Sequence, residues 1–189
     1  MTAPTPTPTA VPGNVAWANW AVQDRVAHPA HWVYSEGTNR MNNIGQWPIK
    51  FPVTTDCSGS ATLFCQLAGF ADPNGLKFDH EGYTGTLLSH EEHIALFVKN
   101  AQGVMIEKVV PGDLVVYGPG TGWHVATIVE VNGPDILTVS HGENGDPSYV
   151  WVNTPKNNPH HYATDGRKPQ TFLRVNKTVV GTAHTPPAA

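Results

Sequence analysis

The residues of this 189-residue chain best able to do chemistry are in Thr54-Thr55-Asp56-Cys57-Ser58-Gly59-Ser60, which runs straight into the apolar-periodic segment Ala61 to Gly69. The pattern puts Cys57 in the first turn of a helix. Exposed amide hydrogens and the positive dipole end favour an anion there, so the thiol is expected to fall below the ~8.5 of a free cysteine. Such a nucleophile needs a base, and the base needs a group to orient it. His124 opens one β-patterned run and His141 closes the next, with Asn132-Gly133-Pro134-Asp135 between them. In a hairpin with a four-residue loop, Val131 faces Ile136 and His124 faces Glu143, with His141 two positions away on the same face. A two-residue loop at Asn132-Gly133 sets His124 directly opposite His141, although Pro134 cannot donate to the ladder. Either even-length loop keeps the two histidines on one face, and an odd-length loop separates them.

This set suits a cysteine hydrolase. His124 takes the Cys57 proton and later delivers it to the leaving amine, while a polar third residue holds its tautomer. His141 is the first choice for that third role, with Glu143 and Asn144 as alternatives. A neutral histidine supports an imidazolium less than a carboxylate does, so the expected role of His141 is orientation. Cys65 is read as a small buried hydrophobe. On one helix it lies roughly 12 Å from Cys57, beyond the ~7 Å that a disulfide allows. His90-Glu91-Glu92-His93 resembles a zinc-protease motif, but its histidines are three apart rather than four, and it reads as solvated helix surface. No metal or other cofactor is expected.

The elements that must position these residues follow from periodicity. Asn14 is a plausible N-cap for a helix to about His28, ended by Pro29, with Val15, Ala18, Val22 and Val26 as its stripe and Trp17 and Trp20 in the core. A long loop punctuated by Gly37, Gly45, Pro48 and Pro52 leads to the cysteine helix, and Gly69 is a natural stop. Asp72-Pro73-Asn74-Gly75 is turn chemistry, and Thr84 to about Val98 reads as one or two short helices. Then come β-rich runs at Asp113–Gly118, His124–Val131, Ile136–Ser140, Tyr149–Val152 and Thr171–Val175, expected as an antiparallel meander. Helices first and a sheet after is an α+β order.

Length favours one domain, placed at residues 14–177. Residues 1–13 (MTAPTPTPTAVPG) read as a disordered Thr/Pro tail, and residues 178–189 as a flexible tail or linker start. A net charge of -4 with only 14% charged residues and no basic block argues against nucleic-acid binding. No apolar run approaches the ~18 residues of a membrane span, and the N-terminus lacks a secretory pattern. A soluble protein without membrane insertion, made inside the cell, is expected.

At its chemical residues the chain resembles the NlpC-type cysteine peptidases, papain-like bacterial and phage enzymes that cut peptidoglycan stem peptides. The matching pieces are Asp56-Cys57-Ser58-Gly59, Pro111-Gly112-Asp113-Leu114-Val115-Val116-Tyr117, His124-Val125-Ala126-Thr127-Ile128-Val129-Glu130 and Val139-Ser140-His141-Gly142. Gly82-Tyr83-Thr84-Gly85-Thr86-Leu87-Leu88 and the Ser-His-Gly turn look like peptidase domains of actinobacteriophage endolysins. The resemblance spans about Tyr34 to His141. It implies a papain-like α+β fold with the nucleophile at a helix N-terminus packed on an antiparallel sheet, Cys57 as nucleophile, His124 as base and His141 as orienting residue. Tyr34 would sit near the oxyanion, Asp56 and Ser58 would shape the substrate groove or cap the helix, and Trp123 would form a groove wall or rim. The implied reaction is cleavage of an amide in the stem peptide, D-glutamyl (or isoglutaminyl) to meso-diaminopimelate, through a Cys57 thioester. The setting would be phage lysis or entry, by a monomer that a holin or a virion delivers to the wall. Rival readings are an N-acetylmuramoyl-L-alanine amidase of the CHAP type and a non-catalytic cell-wall-binding module.

Overall fold

The computed structural model describes residues 10–94, 97–99, 105–107, 109–132, 135–142, 147–152 and 169–188. Helix α1 (Gly13–Ala27) begins two residues earlier than its apolar stripe implies, with Pro12 rather than Asn14 before it. Asn14 lies inside the first turn, where its side-chain amide donates to the Gly112 carbonyl at 2.9 Å. That bond ties α1 to the sheet, so the asparagine serves tertiary structure instead of capping. Trp17 and Trp20 are buried as expected, whereas Val26 is exposed. Asp24 accepts from the Trp32 indole at 2.9 Å and lies 3.1 Å from His31 Nδ1, which fixes the chain leaving α1 through the 3-10 turn Pro29–His31.

The loop before the cysteine helix contains two short strands. β1 (Trp32–Tyr34) and β2 (Val53–Thr55) pair in parallel, Tyr34 opposite Thr55. The pairing brings Tyr34 beside the start of α2 (Cys57–Leu67). All of α2 except Gln66 is buried, and Gly69 adopts φ +74° just beyond its end, a conformation that favours glycine. α3 (Thr84–His90) is shorter than the sequence implies, because the chain turns from it into β3 (Glu92–Ile94), whose partner is the last strand. His90 thus ends a helix while His93 belongs to a strand. Among the described residues, no group of three His, Cys, Asp or Glu side chains could hold a metal ion.

β4 (Phe97–Lys99) and β5 (Met105–Glu107) form a separate antiparallel pair. The main sheet has six strands in the order β3-β10-β6-β7-β8-β9, every pair antiparallel. Its members are β6 (Leu114–Tyr117), β7 (His124–Asn132), β8 (Asp135–His141), β9 (Pro147–Val152) and β10 (Pro169–Arg174). The run β6 to β9 is the expected meander, and β10 returns to the far side of β6. Side chains alternate across the strands: Leu114, Val116, Val125 and Val139 pack with α1 and α2. Val115, Tyr117, Ala126, Ile128 and Ile136 form the second cluster on the opposite face. The α+β class follows from this arrangement, and no helix among the described residues is long and apolar enough to cross a membrane.

One terminal expectation fails. Residues 178–188 do not dangle: the amides of Val180 and Gly181 donate to the Gly69 carbonyl at 2.8 and 3.0 Å, and that of His184 to Leu67 at 2.8 Å. The Trp17 indole donates to the His184 carbonyl at 3.0 Å, and the His184 ring stacks on Trp47 with centroids 3.9 Å apart. Tail composition is compatible with order here because backbone bonds to the end of α2 need no particular side chains.

Candidate active site

Asp56, in extended conformation, is the N-cap of α2 and accepts from the Gly59 amide at 2.6 Å and the Ser58 hydroxyl at 3.0 Å. The Arg40 guanidinium reaches Asp56 at 3.0 Å and Ser58 at 3.2 Å, and donates to the Gly82 carbonyl. Gly59 is required by space, since a Cβ there would stand 2.3 Å from the Thr55 hydroxyl and 3.0 Å from the Arg40 carbonyl. Asp56-Cys57-Ser58-Gly59 is therefore a helix start bolted down by an arginine. Asp56 and Ser58 spend their polar atoms on that structure, which is the capping role the sequence allowed. Arg40 escaped the sequence reading, because it is a single cation in an aperiodic loop and nothing local pairs it with residue 56.

Cys57 begins the helix and is 8% exposed. The thiol is pushed up to about 12, first by burial and then by the Asp56 charge, against the backbone amides of Val125 and Ser58, which favour the anion. The expected preformed thiolate is thus absent from the resting site. A helix start stabilises an anion only while water or donors solvate it, and here desolvation outweighs the dipole. The involvement of the Val125 amide locates the sulfur: it lies against the first residues of β7, beside the backbone of His124.

His124 pairs with Tyr117 across β6 and β7 and is 3% exposed. Its Nε2 lies 2.6 Å from the Ser140 hydroxyl. His141 ends β8, also buried, on the other face of the sheet, the one that α2 packs: its ring meets Trp32 and Tyr34 edge-on, with centroids 5.9 and 5.7 Å apart. Neither of its ring nitrogens has a hydrogen-bond partner among the described residues, and burial pushes the imidazole down to about 4. The expected His124–His141 pairing is corrected by a β-bulge. Val131 does face Ile136, but Ile128 faces Thr138 while Glu130 faces Leu137, so β7 carries one extra residue at Val129. That single residue converts an even register into an odd one and puts the two histidines on opposite faces.

Tyr34 lies close enough to the thiol for the charges of Cys57 and Asp56 to act on it, and burial raises its phenol well above the ordinary range. Its hydroxyl donates to Glu36 at 2.5 Å, so Glu36 joins the neighbourhood unannounced by any motif. Trp123 is 58% exposed, its ring lying over Gly118, where a Cβ would come within 2.6 Å of it. It stands at the rim next to His124 rather than in the core. Glu143 and Asn144 lie outside the described residues. Among the described residues no hydrogen bond joins the Cys57 thiol to either histidine ring. A separate cavity of about 400 Å³, lined by Trp20, Trp47, Phe51 and Pro187 among others, shares no residue with this constellation. Its size does not make it the reactive site, because neither cysteine lines it.

No protein-family model matches the chain, and no curated protein matches it. Among solved structures the chain is similar to the peptidoglycan hydrolase RipB of Mycobacterium tuberculosis, at 20% identity over 89% of this chain and 74% of that one, with a TM-score of 0.40. At that identity and superposition the likeness assigns neither an activity nor a residue role.

Proposed function

We propose that this chain is a cysteine hydrolase of peptidoglycan, related to the NlpC-type peptidases, that cleaves an amide of the stem peptide. The observation that carries the reading is Cys57 at the head of a capped helix, its sulfur against the amide of the residue that follows His124. Cys57 attacks the carbonyl carbon, and the thiol proton passes to His124. The tetrahedral intermediate collapses to a thioester as His124 returns the proton to the leaving amine, and water then releases the acid. A thiol pushed up to about 12 means that the proton leaves as the substrate arrives, from a neutral thiol and a neutral imidazole. The His124 ring rests on the sheet face of Tyr117, opposite α2, so in the substrate complex it must turn about the tip of β7 to reach the sulfur. The Cys57 amide and Tyr34 would face the oxyanion; each such donor is typically worth ~3 kcal/mol. Tyr34 must release Glu36 to take part.

The bond we assign is D-glutamyl or isoglutaminyl to meso-diaminopimelate, in the setting of phage lysis or entry. The test is mass spectrometry of muropeptides from diaminopimelate-type sacculi treated with the protein or with Cys57→Ala. We expect new fragments with a free diaminopimelate amine, from the unmutated protein only. Stem peptides released whole from muramic acid would identify an amidase instead. Equal fragments from both proteins would reject Cys57 as the nucleophile, and none on several wall chemotypes would reject the hydrolase and leave a cell-wall-binding module.

A further inference from the structure

Resting on the reading of peptidoglycan as the substrate, we propose that the aromatic cavity between α1 and the loop before β2 is a subsite for the glycan strand, taking a neutral chain of N-acetylated pyranoses. The cavity, about 400 Å³, is lined by Trp20 of α1 and by Trp47 and Phe51 of the loop. Trp47 and Phe51 are 49% and 43% exposed, which leaves apolar surface in water at a cost to folding. Both rings are nevertheless held. The His184 ring stacks on Trp47 with centroids 3.9 Å apart, and the His31 ring on Phe51 at 3.7 Å. Trp17 meets Trp47 at 6.0 Å, and Trp20 meets Phe51 at 6.4 Å. Exposed rings that are each braced by two neighbours form a preorganised surface, one that loses little further freedom when a ligand settles on it. With Pro187 and Ala188 in place the cavity still measures about 400 Å³, so the C-terminal segment forms a wall and leaves the interior open.

The lining selects the ligand. Gln23, Asp24 and His28, at the C-terminal end of α1, supply its polar groups, and no lysine or arginine lines it. A stem peptide carries free carboxylates, which the Asp24 carboxylate repels and no cation here attracts. A pyranose is neutral: its C–H face is apolar and packs on an aromatic ring, while the hydroxyl and acetamido N–H groups at its edge are donors. Asp24 keeps acceptor capacity for them. Only the Trp32 indole and the His31 ring face it, against the roughly four lone-pair sites of a carboxylate. The cavity is also joined to the reactive end of the molecule. Trp20 meets Trp32 at 6.2 Å, Trp32 meets His141 at 5.9 Å, and His141 meets Tyr34, on which the Cys57 charge acts. Two ring-to-ring steps therefore separate the cavity from the strand end beside Cys57. A stem peptide can bridge that gap, since three extended residues span roughly 10 Å.

The experiment titrates the tetramer of N-acetylglucosamine into the full chain carrying Cys57→Ala, so that no hydrolysis intervenes, and follows indole fluorescence and proton–nitrogen shifts. Saturable binding with a Kd on the order of 1 mM is expected, with shifts at Trp20, Gln23 and Trp47. Trp47→Ala and Phe51→Ala, each checked for unchanged thermal unfolding, should weaken it about tenfold, the effect of losing an aromatic anchor. Trp47→Phe, which keeps an aromatic face, should stay within severalfold. With Cys57 intact, Trp47→Ala should raise KM for sacculi about tenfold with kcat little changed, and should erase the preference for glycan-linked over glycan-free stem peptide. Absence of any shift up to about 10 mM tetramer would overturn the proposal, as would binding that survives both alanine variants. So would occupation of the cavity by a Thr/Pro peptide in place of the sugar, or a KM for sacculi that Trp47→Ala leaves unmoved. If the intact protein releases no muropeptide, the hydrolase reading fails by itself, and the titration still decides the subsite.

Discussion

Cys57 and Cys65 are the same chemical group on the same helix, eight positions apart, and both are free thiols. Burial raises both above an ordinary cysteine. What separates them is what is aimed at the sulfur. Cys57, at the helix start, meets the backbone amides of Val125 and Ser58 and is 8% exposed. Cys65 is 0% exposed in mid-helix, with the Asn14 side-chain amide at 4.0 Å; the Glu91 charge disfavours its anion and Lys177 favours it. Burial alone is therefore no guide to reactivity. A sulfur at a helix start beside strand tips can be approached by substrate and base, whereas one packed under a second helix can be approached by neither.

The largest effect that tests this contrast is on turnover. Cys57→Ala should abolish muropeptide release, a loss of at least ~10³-fold, given what a nucleophile that acts as a unit with its base contributes. Cys65→Ala should leave kcat within about twofold, as expected of a substitution that touches no reacting group, and comparable losses from both would break the comparison. Alkylation by iodoacetamide should follow next in size. Because the reacting species is the thiolate and Cys57 is pushed up to about 12, its modification in the native protein should be slow near neutrality and climb about tenfold per pH unit. Cys65 should react only after denaturation. A Cys57 rate that levels off near pH 8 would show a preformed thiolate.

Acid should weaken the Cys57 end through His141. Its imidazole falls from 6.5 to about 4 on burial, so the unfolded chain takes up a proton first as pH drops. The neutral ring fits the fold, so the contribution of His141 to stability is complete above pH 6.5, declines between 6.5 and 4, and is lost below that. At ~1.4 kcal/mol per pH unit the loss is about 3 kcal/mol. Urea midpoints against pH should show it, and His141→Phe should flatten the curve; an unchanged slope would reject the buried neutral ring. Gly59→Ala should cost about 2 kcal/mol by overpacking, since its methyl meets Thr55 and the Arg40 carbonyl. Hydrogen exchange should then quicken at the start of α2 before it does around Cys65. Smallest, Cys65→Ala should cost roughly 1 kcal/mol in denaturant unfolding, the size of a small cavity.

Local pattern revealed most of the frame. The helix beginning at Cys57, the stop at Gly69 and the meander from β6 to β9 all follow from periodicity and turn residues, because each is decided within a few positions. What escaped depends on distant partners. Arg40 lies sixteen positions before Asp56, the parallel pairing of Tyr34 with Thr55 joins two ends of an aperiodic loop, and Asn14 was drawn from its capping site by the Gly112 carbonyl. The ionisation of Cys57 was misread for the same reason, since the dipole is local while desolvation is supplied by the whole fold. Period-two alternation assigned Ser140 and His141 to opposite faces but could not say which face looks at His124.

That choice rests on Val129, and its consequence is historical as much as mechanical. One extra residue in β7 acts as a frameshift in three dimensions: the letters of β8 are unchanged, but each is read on the other side of the page. A chain that lost or gained a single residue at the bulge would exchange the faces of Ser140 and His141 with no substitution at either position. Relatives that differ by one residue between the two histidines would then be the natural place to find the other arrangement.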